Sequence, residues 1–325
     1  MTTRRTFLKA SAAALAAPAL PQLAFAQDWP KGRTIRAMVP FAPGSSLDIV
    51  GRIVSDALGK ELGQTIVIEN RGGAGGSIGT AQAAKAAPDG YTVLIQASAH
   101  SAAPAAYPNL AYDPVRDFHA IIPFGTIPNV TVVHPSRGFK TVNDLVAAAK
   151  KSGKFTYGSA GVGSATHWAA ERLRLSGGYE AVHVPFKGGP EALTEVMAGR
   201  IDFTCMGMSA ALPLIQDGKL VALAVSSGAR SAALPNVPTT LEAGLKDSDY
   251  NYWMGLFVPA KTPAAIMKRL YADTQKALSL PAVQDRFKPQ GIEPLKMTSE
   301  EFDALVRREV EANIALVKAA GLKFN

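Results

Sequence analysis

The chain has 325 residues, of which 47% are hydrophobic and 18% are charged, and its formal net charge at pH 7 is +8. The basic residues are scattered, without runs interleaved with aromatic residues, which argues against a nucleic-acid partner. A single cysteine, Cys205, excludes an intramolecular disulfide, and its apolar neighbours indicate a buried structural thiol.

The first 26 residues follow the pattern of an export signal. A charged region at residues 3–9 precedes a stretch rich in Ala and Leu, and Ala24-Phe25-Ala26 fits a cleavage site. Arg4 and Arg5 resemble the twin-arginine signature, with an ordinary Sec signal as the alternative. We therefore expect a periplasmic protein. Its mature part carries a net charge of +5, because the signal holds three basic residues and no acidic one. Such a charge suits small anionic ligands.

From residue 35 onward, short apolar runs alternate with helical spacing of apolar residues. The first series is predicted to contain strands at 35–39, 65–69, 91–96, 120–125 and 130–134, helices at 47–62 and 78–87, and a loop at 104–114. The second series is predicted to contain helices at 141–151, 166–176 and 191–198 and strands at 155–157, 181–184, 201–205 and 220–225. A strand at 252–258 and helices at 263–278 and 299–320 complete the chain.

This order predicts an α/β fold in which mainly parallel sheets are covered by helices. About 300 mature residues are too many for one comfortable core. The two series, joined by crossings near residues 128 and 250, therefore indicate two lobes with a cleft between them. The loops at the carboxyl ends of the parallel strands should face that cleft, where open α/β sheets bind their ligands.

Three loops that precede predicted helices have the character of anion sites. In the first, residues 40–46, Ser45 or Ser46 is placed to cap the next helix. The unpaired N–H groups and positive dipole of a helix start favour a negative ligand. Residues 157–167, rich in Gly and hydroxyl side chains, and residues 185–190, which include Lys187, repeat the pattern. The alternative for the first loop is a plain connection between a strand and a helix.

Other chemistries are less well supported. Residues 71–79 lack the Gly-Lys-Ser/Thr ending of a phosphate-binding loop. They contain a G-x-S-x-G pattern around Ser77, as in the nucleophile elbow of α/β hydrolases, but the preceding strand ends near Glu69 and no histidine follows His183. Residues 161–166 lack the third glycine of a dinucleotide fingerprint. The histidine spacing is not typical of metal ligands, so we expect neither metal nor cofactor.

Several motifs, in one order along the mature chain, resemble the periplasmic solute-binding receptors of tripartite tricarboxylate transporters, the Bug or TctC-like family. They lie at residues 39–52, 69–79, 88–92, 112–118, 157–167, 185–190 and 235–239. The resemblance implies a two-lobe, type II-like periplasmic-binding fold. Lobe 1 would be discontinuous, at 27–128 and 250–325, and lobe 2 would span 129–249.

The resemblance also implies a function. It predicts a monomeric receptor, not an enzyme, that captures a small organic carboxylate and delivers it to the membrane permease subunits of such a transporter. The carboxylate could be a di- or tricarboxylate, an acidic amino acid or an aromatic carboxylate. The alternatives are a secreted serine hydrolase using Ser77 and a receptor that feeds a sensor.

The predicted ligand-binding residues come from both lobes. In lobe 1 they are Phe41, Ala42, Pro43, Gly44, Ser45, Ser46, Asp48, Ser98 and His100, and in lobe 2 they are Ser159, Gly161, Gly163, Ser164, Thr166, His167, Lys187, Gly188 and Met206. Asp48 either fixes the first loop or is an ordinary acid in the first helical turn. The chain departs from the family at Ser45, where the family usually has Gly. That difference places a side chain, and with it a hydroxyl, beside the ligand.

Overall fold

The structure is a computed structural model that describes residues 29–250 and 252–320, so the predicted export signal lies outside the described residues. One half of the molecule is built on a five-stranded sheet of order β2-β1-β3-β10-β4. Its strands are β1 (Ile35–Val39), β2 (Ile66–Asn70), β3 (Thr92–Ala97), β4 (Phe118–Thr126) and β10 (Trp253–Pro259). Strands β1, β2 and β3 are parallel, whereas β10 is antiparallel to β3 and β4.

The other half is built on a second five-stranded sheet, of order β7-β6-β8-β5-β9. Its strands are β5 (Asn129–Val133), β6 (Thr156–Ser159), β7 (Val182–Pro185), β8 (Phe203–Gly207) and β9 (Val221–Val225). Strand β6 is parallel to β7 and β8, and β5 is antiparallel to β8 and β9.

Helices connect and cover the strands. Those of the first sheet are α1 (Ser46–Leu62), α2 (Ser77–Ala84), α3 (Ala99–Ala106), α8 (Ala264–Ser279), α9 (Pro281–Phe287) and α10 (Ser299–Ala320). Those of the second are α4 (Val142–Ser152), α5 (Ala165–Gly177), α6 (Gly189–Met197) and α7 (Met208–Gln216). None of the helices in the described part of the chain is long and apolar enough to cross a membrane.

Helix α1 shows how the sequence determines these elements. Ser45 caps its N-terminus, and Gly63, in the left-handed conformation, ends it. Its apolar stripe, which includes Leu47, Val50 and Val54, is fully buried. A buried stripe of this kind stabilises the helix mainly through packing.

The two halves are joined by two neighbouring chain crossings, which we call the hinge: residues 127–128 and the return of the chain at Tyr250 and Tyr252. The N–H of Ile127 donates to the carbonyl of Tyr252 at 2.9 Å, and the N–H of Met208 donates to Pro128 at 3.0 Å. Strands β2 and β7 are edge strands of the two sheets, on the side away from the hinge. The hinge therefore closes one side of the space between the sheets.

Most predicted elements are confirmed within a few residues, and the differences have physical reasons. Three helices were not predicted: α3, α7 and α9. Pro104 and Pro213 lie inside α3 and α7 and weaken the helical pattern there. The prediction of mainly parallel sheets was wrong for β5 and β10. Each of them enters its sheet directly from a hinge crossing and so runs against its neighbours.

Candidate functional site

A small cavity lies between the two halves of the molecule. Its volume is about 20 Å³, which is room for about one water molecule. The first half contributes Phe41, Ser45, Ser46, Ala97, Ala99 and Tyr252, and the second contributes Ala160, Ser164, Ala165, Thr166, Gly189, Met206 and Gly207. Both halves therefore meet around one shared space.

Among the residues that the structure describes, five helices begin at this cavity. The first or capping residues of α1, α3, α5, α6 and α7 line it, at Ser46, Ala99, Ala165, Gly189 and Gly207. The first N–H groups of each helix lack intrahelical partners, and the helix dipole is positive there. Two of these helices come from the first half and three from the second. An anion in the cavity would thus face positive helix ends from both sides.

The described residues that line the cavity include no charged side chain. Their polar groups are the hydroxyls of Ser45, Ser46, Ser164, Thr166 and Tyr252, and Phe41 and Met206 provide apolar surface. An anion would be held here by helix dipoles and hydroxyl groups instead of an ion pair.

Residues 40–48 form the first cavity loop, which is held from behind by charged groups. Asp48 accepts from the N–H of Gly44 at 2.9 Å and from Asn70 Nδ2 at 2.9 Å, and it pairs with Arg52. The Asp48 N–H in turn donates to Ser45 Oγ at 3.3 Å. Burial would raise the pKa of Asp48, but the hydrogen bonds from Arg52, Gly44 and Asn70 outweigh it and lower the pKa. Asp48 is therefore a support of the loop and not a cavity residue.

Ser46 follows the capping serine and lines the cavity. Its Oγ is buried and has no hydrogen-bond partner among the described residues. A Cβ added to Gly207, on the opposite side of the cavity, would lie 2.4 Å from that oxygen. A buried hydroxyl without a partner costs free energy, and its position in the cavity wall makes it available to a bound molecule.

Residues 159–166 form the second cavity loop, which is held by hydroxyl groups. Ser164 caps α5 by accepting from the N–H of His167 at 3.3 Å. Thr166 Oγ1 accepts from the N–H of Ala160 at 2.8 Å and lies 3.0 Å from Ser164 Oγ. Both side chains reach the cavity, so the loop presents two positioned hydroxyls there.

The remaining predicted residues of the second half lie behind the cavity or at its edge. Gly163 donates its N–H to His167 Nδ1 at 3.0 Å, and Gly161 donates to Ser159 Oγ at 3.0 Å. These contacts shape the loop without reaching the cavity. Lys187 is exposed to solvent.

The two halves also touch on the side away from the hinge, at a contact that we call the mouth. A Cβ added to Gly188 would lie 2.4 Å from the Cβ of Ala42, and one on Gly75 would lie 1.9 Å from the carbonyl oxygen of Val162. Tyr107 donates its hydroxyl to the same carbonyl at 2.8 Å. The cleft is therefore closed in this conformation, with backbone packed directly on backbone.

His100 lies apart from the cavity. It packs against the rings of Tyr112, Phe118 and Phe257, with centroid separations of 5.9, 5.2 and 4.8 Å. Burial lowers its pKa to about 4. It sits at the second position of α3, a helix that sequence reasoning missed, and its side chain points into the core. Ser98, Pro43 and Gly44 also lie outside the cavity lining.

Seven lining residues were not among the predicted ligand-binding residues, although Ala160, Ala165 and Gly189 lie in loops that were predicted as anion sites. The seven are Ala97, Ala99, Ala160, Ala165, Gly189, Gly207 and Tyr252. Most are Ala or Gly, which carry no chemical signal in a sequence. The available signal was positional, because Ala97 and Gly207 end parallel strands and Ala99 and Gly189 begin helices.

The arrangement around Ser77 does not fit a hydrolase. Strand β2 ends at Asn70, and Ser77 opens α2 seven residues later, so no strand leads directly into a nucleophile elbow. The imidazoles of His134 and His183 bond Ser136 and Ser159. Among the described residues, no group of three or more His, Cys, Asp or Glu side chains could hold a metal ion.

Residues 50–322 match the family described as tripartite tricarboxylate transporter family receptor, and residues 1–21 match the twin-arginine translocation signal. A protein of Agrobacterium vitis, encoded in the TAR-I ttuE-ttuC' intergenic region, is 37% identical over 311 residues, covering 94% of this chain and 90% of its own.

Solved structures give the same result. The periplasmic binding protein BugD is 32% identical with a TM-score of 0.86, covering 90% of this chain and 98% of its own. MatC from Rhodopseudomonas palustris, solved with bound malate, is 31% identical with a TM-score of 0.84, covering 88% and 99%. The two-lobe fold predicted from the sequence is confirmed by these neighbours.

Proposed function

The chain belongs to the receptor family of tripartite tricarboxylate transporters, and from this premise we propose that it binds a small organic carboxylate in the periplasm. The observation that carries the proposal is the convergence of five helix N-termini on one cavity without charged side chains. Such a site favours a compact anion over a cation or a neutral solute. The malate bound by MatC is a ligand of this class.

The two lobes would move about the hinge. Lobe 1 would comprise residues 27–128 and 250–325, and lobe 2 residues 129–249, so that each lobe contains one sheet. A dicarboxylate is several times larger than the water-sized cavity of about 20 Å³, so the ligand would enter only when the lobes separate. Closure would then be favoured because the ligand gains contacts with both lobes at once.

The ligand contacts would come from the two cavity loops. Ser46 would donate to one carboxylate oxygen, together with N–H groups at the start of α1. Ser164 and Thr166 would bind from lobe 2, and Phe41 and Met206 would limit the length of the carbon chain. Asp48, Ser159, Gly161, Gly163 and His167 would hold the loops in place.

The receptor would act as a monomer and not as an enzyme. In this role it retains its ligand unchanged and passes it to the membrane permease subunits of a tripartite transporter, the partner that the family description implies. The serine-hydrolase alternative finds no support in the position of Ser77.

A thermal-shift panel with the mature protein tests the ligand class. We would use malate, citrate, glutamate and benzoate. A ligand at 100 times its Kd stabilises by about 2.7 kcal/mol, which should raise Tm by about 5 °C in a protein of this size. A binding anion should also make the molecule more compact in small-angle X-ray scattering. If none of the four anions raises Tm, or if a fluorophosphonate labels Ser77 stoichiometrically, the proposal is wrong.

Closure can be tested with a steric wedge at the mouth. Gly188→Ala places a Cβ against Ala42 in the closed form only, and the backbone at Gly188 is extended, so the change introduces no backbone strain. We expect affinity for the best carboxylate to fall at least about tenfold, or 1.4 kcal/mol, with little change in unliganded stability. Gly228→Ala is the matched control, because its added Cβ meets nothing within 4 Å. Equal affinities in both variants would contradict closure at this contact.

A further inference from the structure

Behind the second cavity loop, two imidazole rings are stacked on each other. The centroids of His167 and His183 are 3.9 Å apart and the rings are only 8° from parallel. Tyr157 continues the stack, 4.9 Å from His183. His167 is buried and His183 is half-buried, and neither ring lines the cavity. Two positive charges at this distance would repel strongly, so the stack is compatible with neutral rings.

The stack is connected to the loop at two points. His167 Nδ1 accepts from the N–H of Gly163 at 3.0 Å. His183 Nε2 lies 2.6 Å from Ser159 Oγ, and that oxygen accepts from the N–H of Gly161 at 3.0 Å. Gly161 and Gly163 have φ values of +111° and +71°, which other residues rarely adopt. Each of these unusual backbone positions is therefore tied to one histidine, Gly163 directly and Gly161 through Ser159.

Glu171 and Arg174 are charged groups near the stack. Glu171 favours a proton on His183, but it also accepts from Tyr157 at 2.5 Å and pairs with Arg174 at 2.9 Å. The positive charge of Arg174 further opposes protonation of His167. Burial lowers the pKa of His183 to about 4, and burial, His183 and Arg174 lower that of His167 as well.

We propose that His183 is a positioning residue of the ligand site: through Ser159, and stacked on His167, it holds Gly161 and Gly163 in the geometry that shapes the cavity, and acid releases this loop. A proton on His167 Nδ1 removes the acceptor of the Gly163 N–H. A proton on His183 places a cation in the partly buried stack, against the ring of His167. That this loop binds a carboxylate rests on the proposed function, but the positioning role does not require it.

The test is hydrogen exchange of the unliganded protein, so it does not depend on a ligand. Protection of the Gly161 and Gly163 amides would be measured by NMR from pH 7.5 to 4.5 and corrected for intrinsic exchange. In the wild type, we expect protection to fall about tenfold or more as the stack gains a proton. The amides of strand β3, in the other half, should keep theirs and so report whether the whole protein unfolds.

Two substitutions separate positioning from simple packing. His183→Gln keeps a group that can bond Ser159 but cannot gain a proton, so the protection of its Gly161 amide should change less than about threefold over the same pH range. His183→Ala removes the tether and should expose the Gly161 amide at every pH. His134→Gln is the control, because His134 is half-buried and bonds Ser136 in its own turn, away from the stack.

The outcomes are distinct. A flat wild-type profile, or the same acid-dependent loss of Gly161 protection in His183→Gln as in the wild type, overturns the proposal. If His183→Gln fails to fold, the Cε1–H resonances of the wild-type histidines are followed down to about pH 3.5. Gly161 and Gly163 amides that stay protected after His167 and His183 have both gained a proton refute the role. Failure of every carboxylate to bind would refute the proposed function and leave this result unchanged.

Discussion

The two cavity loops perform the same task with different chemistry. Each contains a serine that caps a helix, Ser45 for α1 and Ser164 for α5. A charged network centred on Asp48 supports the first loop, and the stack of His167 and His183 supports the second. The support of a helix N-terminus in this molecule is thus ionic in one loop and aromatic in the other. The charged network and the stack should therefore lose their stabilising effect at different pH values.

The largest expected effect is on the charged support. Asp48→Ala removes the acceptor of the Gly44 N–H and leaves Asn70 without its carboxylate partner. Loss of a buried, multiply bonded acceptor should lower the free energy of unfolding by about 2–3 kcal/mol. Urea unfolding of the mature protein measures this change. Arg52→Gln should cost less, because Arg52 is half exposed; an equal or larger cost would show that the ion pair, and not the backbone bond, holds the loop.

Acid should act on the second support first. The pKa of His183 is lowered to about 4, so the folded state binds fewer protons than the unfolded state, and stability is lost as pH falls below 6.5. The pKa of Asp48 is also lowered, so its contribution is retained until pH falls below about 3.8. Between pH 6.5 and 4, we expect about 2 kcal/mol of stability to be lost through the stack.

His100 has a similarly lowered pKa and lies in the other half. The free energy of unfolding measured against pH therefore combines the contributions of His100 and of the stack. The difference between wild type and His183→Gln, measured by urea unfolding at each pH, isolates the stack. If that difference does not change between pH 7 and 4, the stack does not make the second loop more sensitive to acid than the first.

The serines that cap α1 and α5 allow the stability of the two loops to be compared directly. Ser45→Ala and Ser164→Ala each remove one capping hydroxyl and should each cost about 1 kcal/mol. Ser164→Ala should cost slightly more, because Ser164 also bonds Thr166. Thermal unfolding of the two variants side by side measures the difference. A cost near zero for either would mean that its support holds the loop without the cap.

The smallest effect on stability is expected at Ser46. Its buried hydroxyl has no partner among the described residues, so Ser46→Ala should change the free energy of unfolding by less than about 0.5 kcal/mol. Affinity for the carboxylate that gives the largest thermal shift should nevertheless fall several-fold. Calorimetric titration of Ser46→Ala beside Ser55→Ala, a buried serine on the same helix and outside the cavity lining, checks both statements. Unchanged affinity would remove Ser46 from the ligand site.

Sequence reasoning located the first cavity loop because a strand, two prolines and a capping serine stand next to one another there. It could not assign Asp48, because the partner Asn70 is distant in sequence and is brought near by the pairing of β1 with β2. Helices α3 and α7 were missed because each contains a proline, and with them two of the five helix ends at the cavity. His100 was placed near the ligand because it follows β3, but only the packing of α3 determines where its ring points.

The unequal division of the helix ends has a consequence for release. The first half provides two of them, α1 and α3, and the second half provides three, α5, α6 and α7. If the halves separate as proposed, the attraction that held the anion is divided in the same proportion, and no charged side chain among the described lining residues retains it on either side. We therefore expect the anion to remain briefly bound to the second half, which provides three of the five helix ends, and to dissociate from it once the cleft is open.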